Sequence, residues 1–520
     1  MKDLLRIPLT LLAAVSLLLA ACAGPSGTTA PSGSTASPGG SPSATADSGA
    51  SPTDGASPSA SADTGASPSA TSGASESPAG SPDASGTPAG SPSAAACPDT
   101  ARDQTIDMWS PLTGPDGDEM TALATRFSTE NEWGITVNHV PTPDYLTALQ
   151  TAAASPDQLP DATIVRVINV GELAARNIIT PWGADALSVL GDIEGQLAPL
   201  PWERGEYNGE RYSIPIDFAG LVMYYNKDMF AAANVEEPGT EPWTREEFDA
   251  ALTALQDSGV QAISIGTLFN SATLFQTFIE QFGGSVVNED GTQATFNSPE
   301  GVEALEYIKT LRDTHGTQAS GPNDPEVQPF SAGQAAIVIH GPWHISNLGQ
   351  LPFTGYAPVP QVGDEFAVWG GSHQLAVHSD DAAIQSAAAC WLSWFYENSV
   401  AWAAAGQIPA YTPARESADL ATQAPGIAAI APSAAEGVII LPQVPGLEGA
   451  VWPQGFEPAI DAILLGQETD IQAALDRQNA IAQQVIDQNA ETFGGGTPVE
   501  SPAGSESPAA SESPSAAPVP

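Results

Sequence analysis

Two apolar segments, at 212–230 and 335–348, constrain the fold of this chain more than any other feature. The first reads YSIPIDFAGLVMYYNKDMF, and its apolar runs Ile214–Ile216 and Leu221–Tyr225 predict two buried strands with a polar turn between them. The second reads AAIVIHGPWHISNL and predicts another buried strand, which ends at the Gly-Pro pair. Because Trp343 follows that pair directly, we expect its ring to line a cavity at the strand end.

Strand and helix patterns alternate through the rest of the core. In its first part they fall at Thr105–Ser110, Met120–Phe127, Ile135–Val140, Pro143–Ala154 and Ala162–Ile168. The alternation resumes with a capping box that begins at Thr244 and with a helix start at Ser298-Pro299. This order predicts an α/β protein with a parallel, doubly wound sheet in each of two units.

The two apolar segments, in this order and at this spacing, resemble those of carbohydrate-type extracellular solute-binding proteins. These are the maltose- and multiple-sugar-binding capture components of bacterial ABC importers. The resemblance implies a two-lobed periplasmic-binding-protein-like fold, in which each lobe is a doubly wound sheet flanked by helices and the ligand cleft lies between the lobes. It implies that the chain crosses between lobes more than once, with approximate boundaries of 99–217 and 371–430 for the first lobe, and 218–370 and 431–493 for the second.

On this resemblance, the chain captures a mono- or oligosaccharide by lobe closure and delivers it to a membrane permease, without catalysis and without a cofactor. Two alternatives remain. A cationic solute such as a polyamine would suit an acidic chain with many aromatic residues, and a carbohydrate-active enzyme would use a pair of carboxylates. The sequence contains no GxSxG, GxxxxGK or HExxH motif, which disfavours an enzyme.

The N-terminus has the pattern of a secretion signal. Lys2 and Arg6 precede a nearly unbroken apolar run, and this predicts a signal peptide at 1–21. The run ends in small residues before Cys22, which resembles the lipobox of bacterial lipoproteins. We therefore expect a protein outside the cytoplasm, anchored to the cell membrane by lipid on Cys22. The alternative is ordinary cleavage nearby, with Cys22 incidental.

Two segments have a composition that cannot form a core. Residues 22–98 are almost wholly Ala, Gly, Ser, Pro and Thr, and the end of the chain, 494–520, is similar. Chains of this composition have too little apolar surface to offset the entropy of ordering. We expect a disordered tether and a disordered tail around a folded domain at 99–493.

The chain is strongly acidic. It carries 61 Asp and Glu against 14 Lys and Arg, a formal net charge of −47. Such a surface repels phosphate backbones and anionic lipid headgroups, so nucleic acid is excluded as a partner. The expected partners are the solute, the permease subunits and the membrane through the lipid anchor, and we expect the protein to be a monomer.

Two cysteines remain once Cys22 is assigned to lipid. Cys97 and Cys390 form an even pair in an oxidising compartment, so one disulfide is an option. The alternative is a buried thiol at Cys390 and an unrelated Cys97.

A sugar site needs flat aromatic surface together with groups that exchange hydrogen bonds with hydroxyls. Candidates of these types lie mostly at predicted strand ends: Trp109, Ser110, Arg166, Asn169, Asp217, Phe218, Asn270, Thr273, Trp343, Trp369, Gly371, Ser372, Tyr411 and Trp452. Within the resemblance, the GPW that ends in Trp343 is the best-matched position. For Arg166 the alternative role is an ion pair between the lobes, and for Asp217 it is a turn or hinge residue.

No metal site is expected from the sequence. His340 and His344 have the spacing of a helical metal pair, but Gly341-Pro342 between them breaks any helix.

Overall fold

The computed structural model describes residues 97–321 and 324–494, without the side chains of residues 156, 317 and 318. The signal peptide at 1–21, Cys22 and its lipid, nearly all of the tether and all but the first residue of the tail lie outside the described residues. No helix of the described part of the chain is long and apolar enough to cross a membrane.

The strands, in chain order, are β1 (Thr105–Ser110), β2 (Thr136–Pro141), β3 (Ala162–Arg166), β4 (Glu206–Tyr207), β5 (Glu210–Arg211), β6 (Ser213–Pro215), β7 (Asp217–Gly220), β8 (Val222–Asn226), β9 (Gln261–Ile265), β10 (Gly316–Gln318), β11 (Ala335–His340), β12 (Thr354–Pro358), β13 (Val368–Gly371), β14 (His373–Val377), β15 (Ile408–Pro409) and β16 (Val438–Ile439).

The helices, in chain order, are α1 (Pro115–Glu130), α2 (Tyr145–Ala152), α3 (Val170–Ala175), α4 (Ala184–Leu190), α5 (Pro199–Glu203), α6 (Lys227–Ala233), α7 (Arg245–Asp257), α8 (Phe269–Gln281), α9 (Pro299–Thr310), α10 (Val327–Ser331), α11 (Ile345–Leu348), α12 (Ala382–Glu397), α13 (Ser399–Ala404), α14 (Thr412–Arg415), α15 (Ala418–Gln423), α16 (Pro425–Gly437), α17 (Leu447–Val451), α18 (Glu457–Leu464) and α19 (Ile471–Phe493).

The first lobe is built on the sheet β2-β1-β3-β14-β6. β1 runs parallel to β2 and β3, whereas β14 runs antiparallel to β3 and β6. Adjacent residues point to opposite faces, so Ile164 packs into the core that includes α1 and α12, and Val165 into the core that includes α2 and α3. The sheet is therefore covered by helices on both faces, with a parallel part and an antiparallel part.

The second lobe is built on the sheet β10-β9-β11-β8-β12. Every described residue of β8 and β11 is buried, as expected of central strands covered on both faces. Met223 and Ile337 face the main core of this lobe, while Tyr224 and Val338 face a smaller core that includes α16. Together the two sheets confirm the two-lobed α/β fold.

Two antiparallel strands join the lobes. The chain leaves the first sheet after β6, runs through β7 and enters the second sheet as β8, and it returns through β13 into β14. β7 and β13 pair with Gly220 opposite Gly370, and a Cβ on Gly370 would lie only 2.3 Å from the Ala219 carbonyl oxygen. We define this pair of strands as the hinge. The polar turn that we expected at 217–220 is thus a strand, because it pairs with residues far away in sequence.

Several local signals appear as expected. Thr244 accepts a hydrogen bond from the Glu247 N–H while the Glu247 carboxylate accepts one from the Thr244 N–H, so the capping box is confirmed. Ser298 caps α9, which begins at Pro299. One boundary differs from the expectation: α16, whose first residues we placed in the first lobe, packs against β12 of the second sheet.

The structure also forms the disulfide that the sequence left open. Cys97 is bonded to Cys390 in α12. The bond ties the beginning of the described chain to the first lobe.

Candidate functional site

Four aromatic side chains of the second lobe meet near the ends of its strands. Phe269, the first residue of α8, has its ring centroid 5.8 Å from that of Trp343, 5.4 Å from Trp369 and 5.7 Å from Trp452. We call these four residues the aromatic cluster. Three of them, Trp343, Trp369 and Trp452, were predicted as ligand-binding residues, and the structure brings them together.

Trp343 is positioned by the turn that precedes it. Its ring folds back over Gly341, where a Cβ would lie 2.0 Å from the ring. Tyr224 donates a hydrogen bond to the Gly341 carbonyl oxygen at 2.7 Å and holds the turn against the sheet. The glycine is therefore required by the tryptophan two residues later, and the ring remains partly exposed.

The other tryptophans are held by polar residues of α8. The Trp369 N–H donates to Thr277 Oγ1 at 2.9 Å, and Trp452 Nε1 donates to Gln276 Oε1 at 3.1 Å. Trp452 is only 8% exposed, so it packs between the rest of the aromatic cluster and the core of the second lobe. Trp369 is partly exposed.

A cavity of about 540 Å³ lies between the two lobes, within the size range of small-molecule sites. On one side it is lined by residues 111–116, which form the loop after β1 and the start of α1, and by Tyr145 and Arg166. On the other side it is lined by Trp343, His344 and Asn347. His373 and Ala405 complete it. The sequence did not indicate the loop 111–116, although its Pro-Gly composition directly after β1 is a signal for a loop at a strand end.

Arg166 lies at the end of β3 and reaches toward the other lobe. Its guanidinium is 3.9 Å from Glu448 Oε1 in α17, and its side chain is half exposed. The residue therefore lines the cavity and also forms the ion pair that was its alternative role. Its backbone N–H donates to the Tyr145 hydroxyl, which in turn donates to Asn169.

Asp217 lies in the hinge and is fully buried. Its carboxylate accepts hydrogen bonds from the His373 N–H at 2.7 Å and from Trp402 Nε1 at 2.9 Å, and Ser372 donates to its carbonyl oxygen at 2.6 Å. Phe218 is also fully buried, in the core beside β8. Asp217 and Ser372 thus hydrogen-bond to each other's segments and Phe218 packs in the core, and none of the three lines the cavity. This corresponds to the alternative role of Asp217.

His373 connects the hinge to the cavity. Its Nδ1 lies 2.9 Å from Asp217 Oδ2, and the residue lines the cavity wall. Burial disfavours the charged ring, but the neighbouring Asp217 carboxylate outweighs this effect and raises the pKa of His373. A protonated His373 would stabilise the joint between the strands.

Asn270 and Thr273 are buried at the start of α8. Asn270 accepts from the Gly266 N–H at 2.9 Å and donates to the Ile339 carbonyl oxygen at 2.8 Å. Thr273 donates to the Asn270 carbonyl oxygen. These side chains fasten the helix that carries Phe269 to the end of β11, so they support the aromatic cluster without facing the cavity.

The remaining candidates are dispersed over the first lobe and the hinge. Ser110 is buried beside His139, and Trp109 packs against the core around α2. Tyr411 stacks on Tyr396 and donates to Gln196, away from the residues that line the cavity. Gly371 ends β13 and has open space where a Cβ would lie.

His340 and His344 meet in space although a Gly-Pro pair separates them in the chain. Their ring centroids are 4.5 Å apart. The Gly-Pro pair does prevent a helix, but it ends β11 and turns the chain into a short 3₁₀ turn that brings His344 back over His340. A helix break therefore does not separate residues when it falls at the end of a strand.

Two α/β lobes, an antiparallel hinge and an aromatic-lined cavity between the lobes define a two-lobed ligand-binding protein. The family model of the bacterial extracellular solute-binding proteins matches residues 113–402, and the chain belongs to this family. It therefore binds a solute outside the cytoplasm.

Individual relatives are similar over most of their length. The maltodextrin-binding protein MdxE of Bacillus subtilis (strain 168) is 24% identical over 379 residues, which cover 70% of this chain and 86% of that protein. The sn-glycerol-3-phosphate-binding periplasmic protein UgpB of Escherichia coli (strain K12) is 23% identical over 57% of this chain and 72% of that protein. The crystal structure of a cyclic α-maltosyl-1,6-maltose binding protein from Arthrobacter globiformis superposes with a TM-score of 0.63 at 24% identity, over 74% of this chain and 99% of that one.

Proposed function

We propose that this chain is the substrate-binding lipoprotein of an ABC importer and that its solute is a mono- or oligosaccharide. The observation that carries the proposal is the position of Trp343, whose partly exposed ring lines the cavity and is braced by Phe269 and Trp369. Flat aromatic rings match the apolar faces of sugar rings, and the cavity walls add polar groups for the hydroxyls. No residue has a catalytic role in this proposal.

Capture proceeds by closure of the lobes. A ligand that touches both walls binds the closed form better than the open form and shifts the population toward it. Arg166 and Glu448 face each other across the cleft, so closure also changes their separation. The closed form then presents both lobes to the permease subunits, and the chain acts as a monomer.

The relatives favour a sugar over a cationic solute. MdxE binds maltodextrin by name, and the Arthrobacter protein binds a cyclic maltose derivative. The similarity to UgpB makes a phosphorylated polyol the second candidate, and Arg166 and His373 are the cavity residues that could face its phosphate.

The membrane anchor is a separate part of the proposal. We infer that the lipid on Cys22 holds the protein at the cell membrane and that residues 22–98 act as the tether. Mass spectrometry of the mature protein tests this, because a chain that keeps residues before Cys22 or lacks acyl mass would contradict it.

A thermal-shift screen of the full chain tests the solute. It covers mono-, di- and oligosaccharides, sn-glycerol-3-phosphate and polyamines. A ligand at about 100 times its dissociation constant stabilises the folded state by about 2.7 kcal/mol. A shift with one class of sugar that is lost in Trp343→Ala and kept in Trp133→Ala, a half-buried tryptophan outside the cavity, supports the proposal. A shift confined to polyamines or to the phosphate ester would overturn it, and release of reducing sugar would indicate an enzyme.

A further inference from the structure

Four titratable side chains converge behind Trp343. Asp324 Oδ2 lies 3.2 Å from His344 Nε2, and Asp324 Oδ1 lies 3.4 Å from His340 Nε2. One donor atom from each of these three residues lies within 4.8 Å of the others. On the far side, Glu326 Oε1 lies 3.0 Å from His340 Nε2. We call these four residues the His-acid cluster.

The buried half of the cluster contains polar atoms without hydrogen bonds. Glu326 is fully buried, and neither of its oxygens accepts a hydrogen bond from any described residue. His340 is 1% exposed, and its Nδ1 accepts a hydrogen bond from the Gly341 N–H at 2.8 Å. Its Nε2 therefore carries the proton while no metal is bound; it points at both acids without a hydrogen bond of acceptable geometry within the described chain, and a metal at Nε2 must displace that proton. A buried carboxylate left in this state is costly unless a charge compensates it. A positive charge at this point would therefore stabilise the buried carboxylate.

The backbone is shaped to admit the Glu326 carboxylate. A Cβ on Gly266 would lie 1.9 Å from Glu326 Oε2, so a larger residue here would displace the carboxylate. The glycine therefore leaves space for the buried Glu326 carboxylate.

We propose that His340, His344 and Asp324 bind a divalent transition-metal ion, with Zn²⁺ the best fit, and that Glu326 supplies a further carboxylate. Tetrahedral zinc has ligands at about 2.0–2.1 Å, which places neighbouring donor atoms about 3.3 Å apart. Each imidazole nitrogen lies close to this distance from one oxygen of Asp324, His344 Nε2 at 3.2 Å from Oδ2 and His340 Nε2 at 3.4 Å from Oδ1. Two imidazole nitrogens and carboxylate oxygens suit zinc, whereas Ca²⁺ and Mg²⁺ prefer oxygen ligands alone.

The charges of the cluster are consistent with a site that protons and metal share. The His340 and His344 rings beside Asp324 hold the pKa of its carboxyl well below its ordinary value. Burial lowers the pKa of His340, but Asp324 and Glu326 outweigh it and raise the pKa above its ordinary value. Because metal ligands must lose their protons, zinc affinity falls as the pH is lowered.

The ion would connect two parts of the second lobe. Asp324 and Glu326 precede α10, while His340 and His344 flank Trp343 at the end of β11. A metal at this point fixes the turn that presents Trp343 to the cavity. Zinc binding is measured without solute, so its outcome does not depend on whether the solute is a sugar.

The experiment is titration of the full chain with zinc chloride by calorimetry, with no solute present, together with the ligand-field spectrum of the cobalt(II) form. We expect one equivalent to bind. His344→Gln and Asp324→Asn are partly exposed positions that should fold normally, and each should weaken binding by about tenfold or more. The control His139→Gln, a half-buried histidine in β2, should bind zinc as the unaltered chain does.

Other outcomes overturn the proposal. Zinc that binds equally well to His344→Gln and to the unaltered chain would lie elsewhere. If no zinc binds while His344→Gln changes the pH dependence of unfolding, the cluster is a proton-sharing group of histidines and carboxylates and not a metal site. A site that prefers Mg²⁺ or Ca²⁺ to Zn²⁺ would also contradict it.

Discussion

Asp217 lies on β7 of the hinge and His373 begins β14, two residues after the other hinge strand ends, and a single carboxylate binds both the backbone N–H and the ring of the histidine. The same carboxylate accepts a hydrogen bond from Trp402 of α13. The outgoing strand, the returning strand and a helix of the first lobe are thus held at one point. The hinge is therefore anchored to the first lobe on the side of the cavity that His373 lines.

Asp217→Asn should destabilise the protein. The substitution keeps the shape but removes a buried charge beside His373 and at least one acceptor, so we expect the free energy of unfolding to fall by about 3 kcal/mol or more. Urea denaturation followed by circular dichroism measures it. Asp290→Asn, at an exposed position, should change stability little. Equal effects of the two substitutions would show that the hinge carboxylate is not important for stability.

Trp343→Ala should weaken binding of the solute without unfolding the protein, because the ring is partly exposed and lies on the cavity wall. We expect an increase in dissociation constant of about tenfold or more, equivalent to about 1.4 kcal/mol. Calorimetry with the sugar found in the screen measures it. Trp133→Ala should bind as the unaltered chain does, and a similar loss in both variants would mean that the effect is indirect.

Substitutions at Arg166 and Glu448 distinguish the two roles of the arginine, which are solute binding and the ion pair with Glu448. The pair is partly exposed and 3.9 Å apart, so Glu448→Gln should change stability by less than about 1 kcal/mol. If Arg166 contacts the solute, Arg166→Ala should weaken binding much more than Glu448→Gln. Equal changes in affinity for both variants, lost together at high salt, would assign Arg166 to the ion pair alone.

His378 should make stability depend on pH below neutrality. Burial lowers its pKa to about 4, although the Ile178 carbonyl oxygen, to which Nδ1 donates, partly opposes this. Since the folded value lies below the ordinary value of 6.5, the unfolded chain takes up the proton first as the pH falls. The free energy of unfolding should drop by up to about 3 kcal/mol between pH 6.5 and 4 through this residue.

The comparison of His378→Asn with the unaltered chain isolates this contribution. Urea denaturation at a series of pH values should give a shallower decline for the variant. Parallel curves for the two proteins would mean that His378 titrates normally in the folded state.

Local signals in the sequence were sufficient for much of the fold. Apolar runs such as Ala335–Ile339 became buried strands, and the capping box at Thr244 begins a helix, because strand burial and helix starts depend on neighbouring residues. The hinge strand at 217–220 was missed as a strand, since its partner β13 lies about 150 residues away in the chain and only pairing makes it extended.

The candidate site was predicted in part. The three tryptophans of the aromatic cluster were named from the sequence, because aromatic residues at strand ends are visible in the pattern. Which polar candidates face the cavity was not visible, and Asp217 and Asn270 were named although the structure buries both. Residue type at a strand end does not specify the direction of a side chain or the partner that satisfies it.

The sequence alone determined the α/β class, the two lobes and the family, because these follow from periodicity and from short segments of contiguous residues. The tertiary structure decided how distant segments meet. It paired Cys97 with Cys390, and it placed Asp217 in the hinge, where its carboxylate binds His373. It also placed Asp324 and Glu326 against His340 and His344. The physical reason is that buried charges and hydrogen bonds are satisfied by whatever the fold brings near, and that proximity is a property of the packed chain and not of its local pattern.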